Sequence, residues 1–162
     1  KHWQETNGAD PYLRWQLRTM ADLFTYRIAR TGTRQLATFS GSKGVHVYGF
    51  PQPGILQSAA SLRKTGQKIM DDMGYFFQQR GTSGINYSGN SSCPSVGLFD
   101  VELFPKQDAV KNGGYGNLVR MELGIHRKSN QPGFIIDTGL ADSYYLEPVS
   151  DPLVVLEKIL VE

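Results

Sequence analysis

The chain has 162 residues, 40% of them hydrophobic and 20% charged, which suits one domain of ordinary size and excludes both a disordered chain and a coiled coil. Seventeen Lys and Arg against fifteen Asp and Glu leave a formal charge of +2, so any polyanion site has to be local rather than a property of the whole surface. The lone cysteine, Cys93, excludes a disulfide framework and a four-thiolate zinc site.

Asp10-Pro11 opens the first element, with Asp as N-cap and Pro at the first helical position. From there Leu13, Leu17, Met20, Phe24 and Ile28 recur at helical spacing, and Thr31-Gly32-Thr33 ends the run. Gln35–Phe39 reads as a short strand, Ser40–Gly44 as a tight polar loop and Val45–Phe50 as the returning strand. After the Pro51-Gln52-Pro53-Gly54 turn, Ile55, Ala59, Leu62, Ile69, Met73 and Phe76 fall on one face of a second helix.

Gly81–Gly97 is rich in Gly, Ser and Asn and is expected to form a mobile surface loop. Leu98–Phe104 has the look of a strand ending at Pro105, and Asn112–Asn117 of a glycine-rich turn. Leu118–Ile125 alternates, with Val119, Met121, Leu123 and Ile125 opposite Arg120 and Glu122. Phe134–Ile136 is a further strand, and Ser150-Asp151-Pro152 starts a last helix carrying Leu153, Leu156 and Leu160. The sum is one mixed α/β domain over residues 1–162, without repeats. No apolar run approaches the ~20 residues that span a bilayer. The first residues, Lys1-His2-Trp3-Gln4-Glu5, lead into polar chain rather than a secretory apolar segment. The single Cys fits a reducing, cytoplasmic compartment.

Three clusters bear on chemistry. In Phe39-Ser40-Gly41-Ser42-Lys43-Gly44-Val45-His46 the two glycines allow a sharp turn and close approach to a ligand, and successive N–H groups of such a turn form an anion-binding concavity. Ser40, Ser42, Lys43 and His46 add donors. On spacing alone a solvated hairpin turn is as good a reading. Arg120, His126, Arg127 and Lys128 gather donors around a strand end, a set that suits a triphosphate or a nucleic-acid backbone; a solvated basic loop is the plainer alternative. Asp100 and Glu102, two apart on a strand, share a face and make a natural hard-cation pair, or else the wet face of an edge strand. Cys93 has no evident partner His.

Residues 39–48, Phe-Ser-Gly-Ser-Lys-Gly-Val-His-Val-Tyr, resemble the second motif of the archaeo-eukaryotic primase superfamily. Leu103-Phe104-Pro105-Lys106-Gln107-Asp108 and Gly113-Gly114-Tyr115-Gly116-Asn117-Leu118 are similar to segments of its primase-polymerase branch, found in mobile elements and CRISPR or other conflict systems. The run from Leu118 to Lys128 resembles the primase stretch in which an Arg on a strand precedes a His-x-Lys pair. The resemblance covers roughly residues 35–130, in the family's order.

The resemblance implies an α/β primase catalytic core with an RRM-like sheet unit. Its activity would be metal-dependent nucleotidyl transfer from NTP or dNTP to a primer 3′-hydroxyl on single-stranded DNA, with Mn²⁺ or Mg²⁺ as cofactor. Ser40, Gly41, Ser42, Lys43, Gly44 and His46 would bind the triphosphate from one side and Arg120, His126 and Lys128 from the other. His46 would also serve catalysis. Asp100, or else Glu102, would be the third-motif metal ligand. A fused or associated helicase or CRISPR adaptation protein is the partner this implies, and no membrane is. The family's first motif, an Asp-x-Asp or Asp-x-Glu on a strand, has no counterpart between Lys1 and Phe39, where Asp10 and Asp22 are single acids. The expectation is therefore either an N-terminally incomplete catalytic domain or a degenerate member that keeps the nucleotide pocket.

Overall fold

The computed structural model describes residues 5, 6, 8, 10–109, 123–138 and 145–161. Its residues fall into two compact units, Lys1–Gln52 with Met121–Glu162, and Pro53–Arg120. The fold class is mixed α and β, with three helices and two three-stranded antiparallel sheets among the described residues.

In the first unit, α1 (Pro11–Ala29) starts where the sequence places it: Asp10 Oδ1 accepts from Tyr12 N at 2.8 Å and Leu13 N at 3.3 Å. Of its apolar stripe, Leu17 and Met20 are fully buried, and Leu13, Phe24 and Ile28 are half-buried. The sheet runs β2 (Val45–Phe50), β1 (Arg34–Phe39), β6 (Phe134–Ile135), so β1 is its middle strand. In this register Leu36 faces Tyr48, Thr38 faces His46, and Thr38 on its other side faces Ile135.

Cross-strand partners share a face of a sheet, and the two faces here have different coverings. Gly49 lies against Ile28 of α1, where an added Cβ would come within 3.2 Å of the Ile28 methyl. On the other face Leu36 and Ile135 join Ile159 of α3 (Pro152–Val161), with Tyr48, Phe50, Val155 and Leu156 packed around them. The unit is thus helix, sheet and helix in layers. Leu153 and Leu160 of α3 stay exposed.

In the second unit, α2 (Ala59–Asp72) begins four residues later than the apolar spacing suggests. Ser58 is its N-cap, its Oγ accepting from Ser61 N at 3.1 Å, and Ile55 lies outside the helix and exposed. Capping chemistry wins over periodicity at that end. The sheet order is β3 (Phe77–Arg80), β4 (Asn86–Gly89), β5 (Asp100–Glu102). Met70, Met73, Phe77, Tyr87 and Val96 form its buried core.

Three expectations need correcting. Gly81–Gly97 is not an open loop: it contains β4, and residues 90–99 fold back through Cys93 N to Asn90 O, Val96 N to Cys93 O and Phe99 N to Val96 O. That return brings Val96 O over Gly89, where a Cβ would lie only 1.9 Å away. Gly89 and Gly97 here serve close backbone packing. The strand at 98–104 is confined to 100–102, with Leu98 exposed. The expected strand 118–125 falls largely outside the described residues. Where it is described, Leu123 sits at φ 64 and Ile125 makes a single bridge to Pro132. Leu123 and Ile125 are exposed rather than on a buried face, because the chain is already turning into a hairpin.

Candidate functional site

The loop 40–44 joins β1 to β2 and is organised by Ser40. Its N–H donates to Gly44 O at 2.9 Å, and its Oγ accepts from Ser42 N at 3.4 Å and Gly44 N at 3.3 Å. Two of the N–H groups that the sequence offers to an anion thus point at the Ser40 hydroxyl. Gly41 takes φ +76, which favours glycine. Ser42 is buried, Lys43 is exposed and His46 is half-buried.

Against this loop lies the hairpin 124–133. Gly133 N donates to Gly124 O at 2.8 Å, His126 N to Gln131 O at 2.8 Å and Asn130 N to His126 O at 2.7 Å. The His126 ring completes the turn, its Nδ1 accepting from the N–H groups of Lys128 and Ser129, each at 3.2 Å. A nitrogen that accepts carries no proton, so the neutral ring bears its hydrogen on Nε2. The two loops touch at Gly41. Its carbonyl accepts from Ser129 Oγ, and a Cβ there would meet Gln131 O at 2.5 Å and the His126 Cβ at 3.1 Å. Segments some 80 residues apart therefore meet, with Lys43, Arg127 and Lys128 exposed on them.

Arg120 lies outside the described residues, as do Glu122 and the Gly113–Asn117 run. Asp100 and Glu102 belong to the second unit. There the sheet has one wholly polar side: the register sets Gln78, Ser88 and Asp100 in one row and Arg80, Asn86 and Glu102 in the next. The other side carries buried Phe77 and Tyr87 with Val101. An open cavity of about 490 Å³ lies along the polar side, lined by Arg80, Asn86, Asp100 and Glu102 among others.

The expected face-sharing of the two acids holds, but each already has a cation. Arg80 reaches Asp100 Oδ1 at 3.2 Å and Ser88 Oγ donates to the same oxygen at 2.9 Å, while Lys106 Nζ meets Glu102 Oε2 at 3.1 Å. All four ionic partners are substantially exposed, so each pair contributes little to stability, ~0–1 kcal/mol. Among the described residues no group of three His, Cys, Asp or Glu side chains is arranged to hold a metal ion.

A further polar cluster escaped the sequence reading. Arg18 is 2% exposed, inside α1. Its Nε donates to both carboxylate oxygens of Asp22 at 2.9 Å and its Nη1 to Tyr145 O at 3.2 Å. Burial pushes the Asp22 carboxyl above the ordinary aspartate value; Arg18 opposes this through its hydrogen bond and its charge, without overcoming it. Only the i, i+4 spacing of the pair hinted at it.

No protein-family model matches this chain, and no curated protein resembles it significantly. Among the described residues no helix is long and apolar enough to cross a membrane.

Proposed function

We propose that this chain is the nucleotide-binding core of a primase-polymerase, transferring a nucleotidyl group from an NTP or dNTP to a 3′-hydroxyl on a single-stranded DNA template. The observation that carries the reading is the contact at Gly41, which joins the loop of Ser40, Lys43 and His46 to the turn of His126 and Lys128. Lys43 and Lys128 then act as point charges on a polyphosphate, and His126 presents Nε2–H as a fixed donor.

Asp100 and Glu102 offer oxygen donors of the kind Mg²⁺ and Mn²⁺ take, one or two carboxylates with phosphate oxygens and water making up the rest. Among the described residues, Asp100 Oδ2 and Glu102 Oε1 are the oxygens outside the Arg80, Ser88 and Lys106 contacts. Asp100 and Glu102 would hold such a metal, whose chemistry would be charge neutralisation at a phosphate and activation of a hydroxyl.

A second reading is a nucleotide- or single-stranded nucleic-acid-binding remnant that no longer polymerises. The pairing of Asp100 with Arg80 and of Glu102 with Lys106 favours it. Two measurements separate the readings. Thermal unfolding with ATP and Mg²⁺ should gain about 2.7 kcal/mol at ~100 times the dissociation constant under either. Primer extension with Mn²⁺ gives product only under the first. No stabilisation by any nucleotide would remove both.

A further inference from the structure

Polar residues of α1 repeat along one side of the helix as regularly as its apolar ones. Arg18, Asp22, Thr25 and Tyr26 stand at i, i+4, i+7 and i+8, the spacing that gathers side chains on a single face. Such a stripe ordinarily faces water. Here Arg18 is 2% and Thr25 5% exposed, so the stripe turns inward.

It lines an open cavity of about 410 Å³ within the first unit, together with Gln35 of β1 and Thr138 beyond β6. Small-molecule sites occupy ~300–1,000 Å³. Arg18 and Thr25 form the buried side of this one, and Asp22 and Tyr26, 43% and 58% exposed, stand where it meets water. Gln35 is paired with Gly49, the glycine packed against α1, so it lies on the helix-facing side of the sheet.

The groups present decide what fits. Arg18 and Asp22 form an ion pair, so together they favour neither an anion nor a cation. Thr25 Oγ1 donates to Ala21 O at 2.8 Å and Asp22 O at 3.0 Å, and toward the cavity it acts as an acceptor. Asp22 likewise accepts, while the Gln35 carboxamide and the hydroxyls of Tyr26 and Thr138 serve either way. A matching ligand is neutral and rich in O–H groups. Acidic side chains take up ribose hydroxyls in dinucleotide sites on the same principle, and a tyrosine ring supplies an apolar face beside a polar tip.

We propose that this cavity binds a neutral vicinal diol, the grouping shared by free sugars and the ribose of a nucleoside. Its hydroxyls donate to Asp22, its C–H face packs on Tyr26, and Gln35 orients it. The site shares no residue with the loops at 40–44 and 124–133 and does not depend on the nucleotide reading.

The test is NMR titration of the nitrogen-15-labelled full chain, following the Gln35 side-chain amide. The probes are D-ribose, methyl glucoside, adenosine and 2′-deoxyadenosine, which lacks the diol. At least one of the first three should shift that signal and saturate, with a dissociation constant on the order of millimolar or below. Adenosine at least about tenfold tighter than ribose identifies a nucleoside, and the reverse order a free sugar. Gln35→Ala, which should keep the wild-type melting transition, should weaken the binding about three- to tenfold, the scale of one neutral hydrogen bond. Asp22→Asn should abolish it, but it leaves Arg18 buried without its ionic partner, so Gln35→Ala carries the decision. No shift with any probe, unchanged affinity in Gln35→Ala, or 2′-deoxyadenosine bound as tightly as adenosine overturns the proposal.

Discussion

The two units hold their candidate residues by different means. In the first, backbone is gripped at short range: the Ser40 hydroxyl and the His126 ring accept main-chain N–H groups of their own turns, and the loops meet where Gly41 leaves no room for a side chain. In the second, Asp100 and Glu102 stand on an open polar face and are met by side chains, Arg80, Ser88 and Lys106, that water also reaches. Backbone-built geometry is specified once and is hard to alter, whereas exposed ion pairs exchange partners at small cost. The loops of the first unit are therefore fixed in place, whereas the acids of the second are adjustable.

The sharpest way to break this contrast is Gly41→Ala. A Cβ at φ +76 carries a left-handed penalty of ~1–2 kcal/mol, and the approach to Gln131 O adds overpacking of ~1–3 kcal/mol. Denaturant unfolding should therefore show a loss of about 2–5 kcal/mol, with nucleotide binding gone; a loss below about 1 kcal/mol would mean the loops are not clasped. Next in size, Lys43→Ala and His46→Ala should each weaken ATP binding roughly tenfold to a hundredfold, the range of a charge-assisted hydrogen bond, with melting unchanged. Normal binding by both variants would dismiss the pocket.

Smaller effects sharpen the second half of the contrast. Asp100→Asn should reduce metal-dependent nucleotide affinity more than Glu102→Gln, measured by titration at fixed Mg²⁺; the reverse order would move the metal ligand to Glu102. The smallest effect concerns pH. Because burial raises the folded-state pKa of Asp22, the folded chain holds that proton more tightly than the unfolded one. Its contribution to stability is full below the ordinary aspartate value of 3.8 and is lost as pH rises through the raised value. Unfolding across this range should show wild type losing stability relative to Asp22→Asn as pH rises; a flat difference would show that the pair with Arg18 cancels the cost of burial.

What was legible in the sequence were the features written in local chemistry. Asp10-Pro11 marked the start of α1, and the polar stretch Ser40–Gly44 fell between two strands that pair as expected. The face shared by Asp100 and Glu102 followed from strand period alone. What was not legible depended on partners far along the chain. Nothing near Gly81–Gly97 announces that Val96 will return over β4, and Gly89 reads as looseness where it permits contact. Arg18 drew no notice in the sequence because its third acceptor, Tyr145 O, lies 127 residues away. Likewise Leu123 and Ile125 fitted a strand pattern until the hairpin that holds Gly41 claimed them.

The crossing of Val96 O over Gly89 has a practical consequence. Position 89 admits no side chain at all, so in a library of single variants every codon there other than glycine should vanish under any selection that demands an intact second unit. Codons at Lys43 should vanish only when the selection demands nucleotide. The dropout rate at 89 is therefore a built-in ruler, fixing how much depletion signifies collapse before any other position is scored for function.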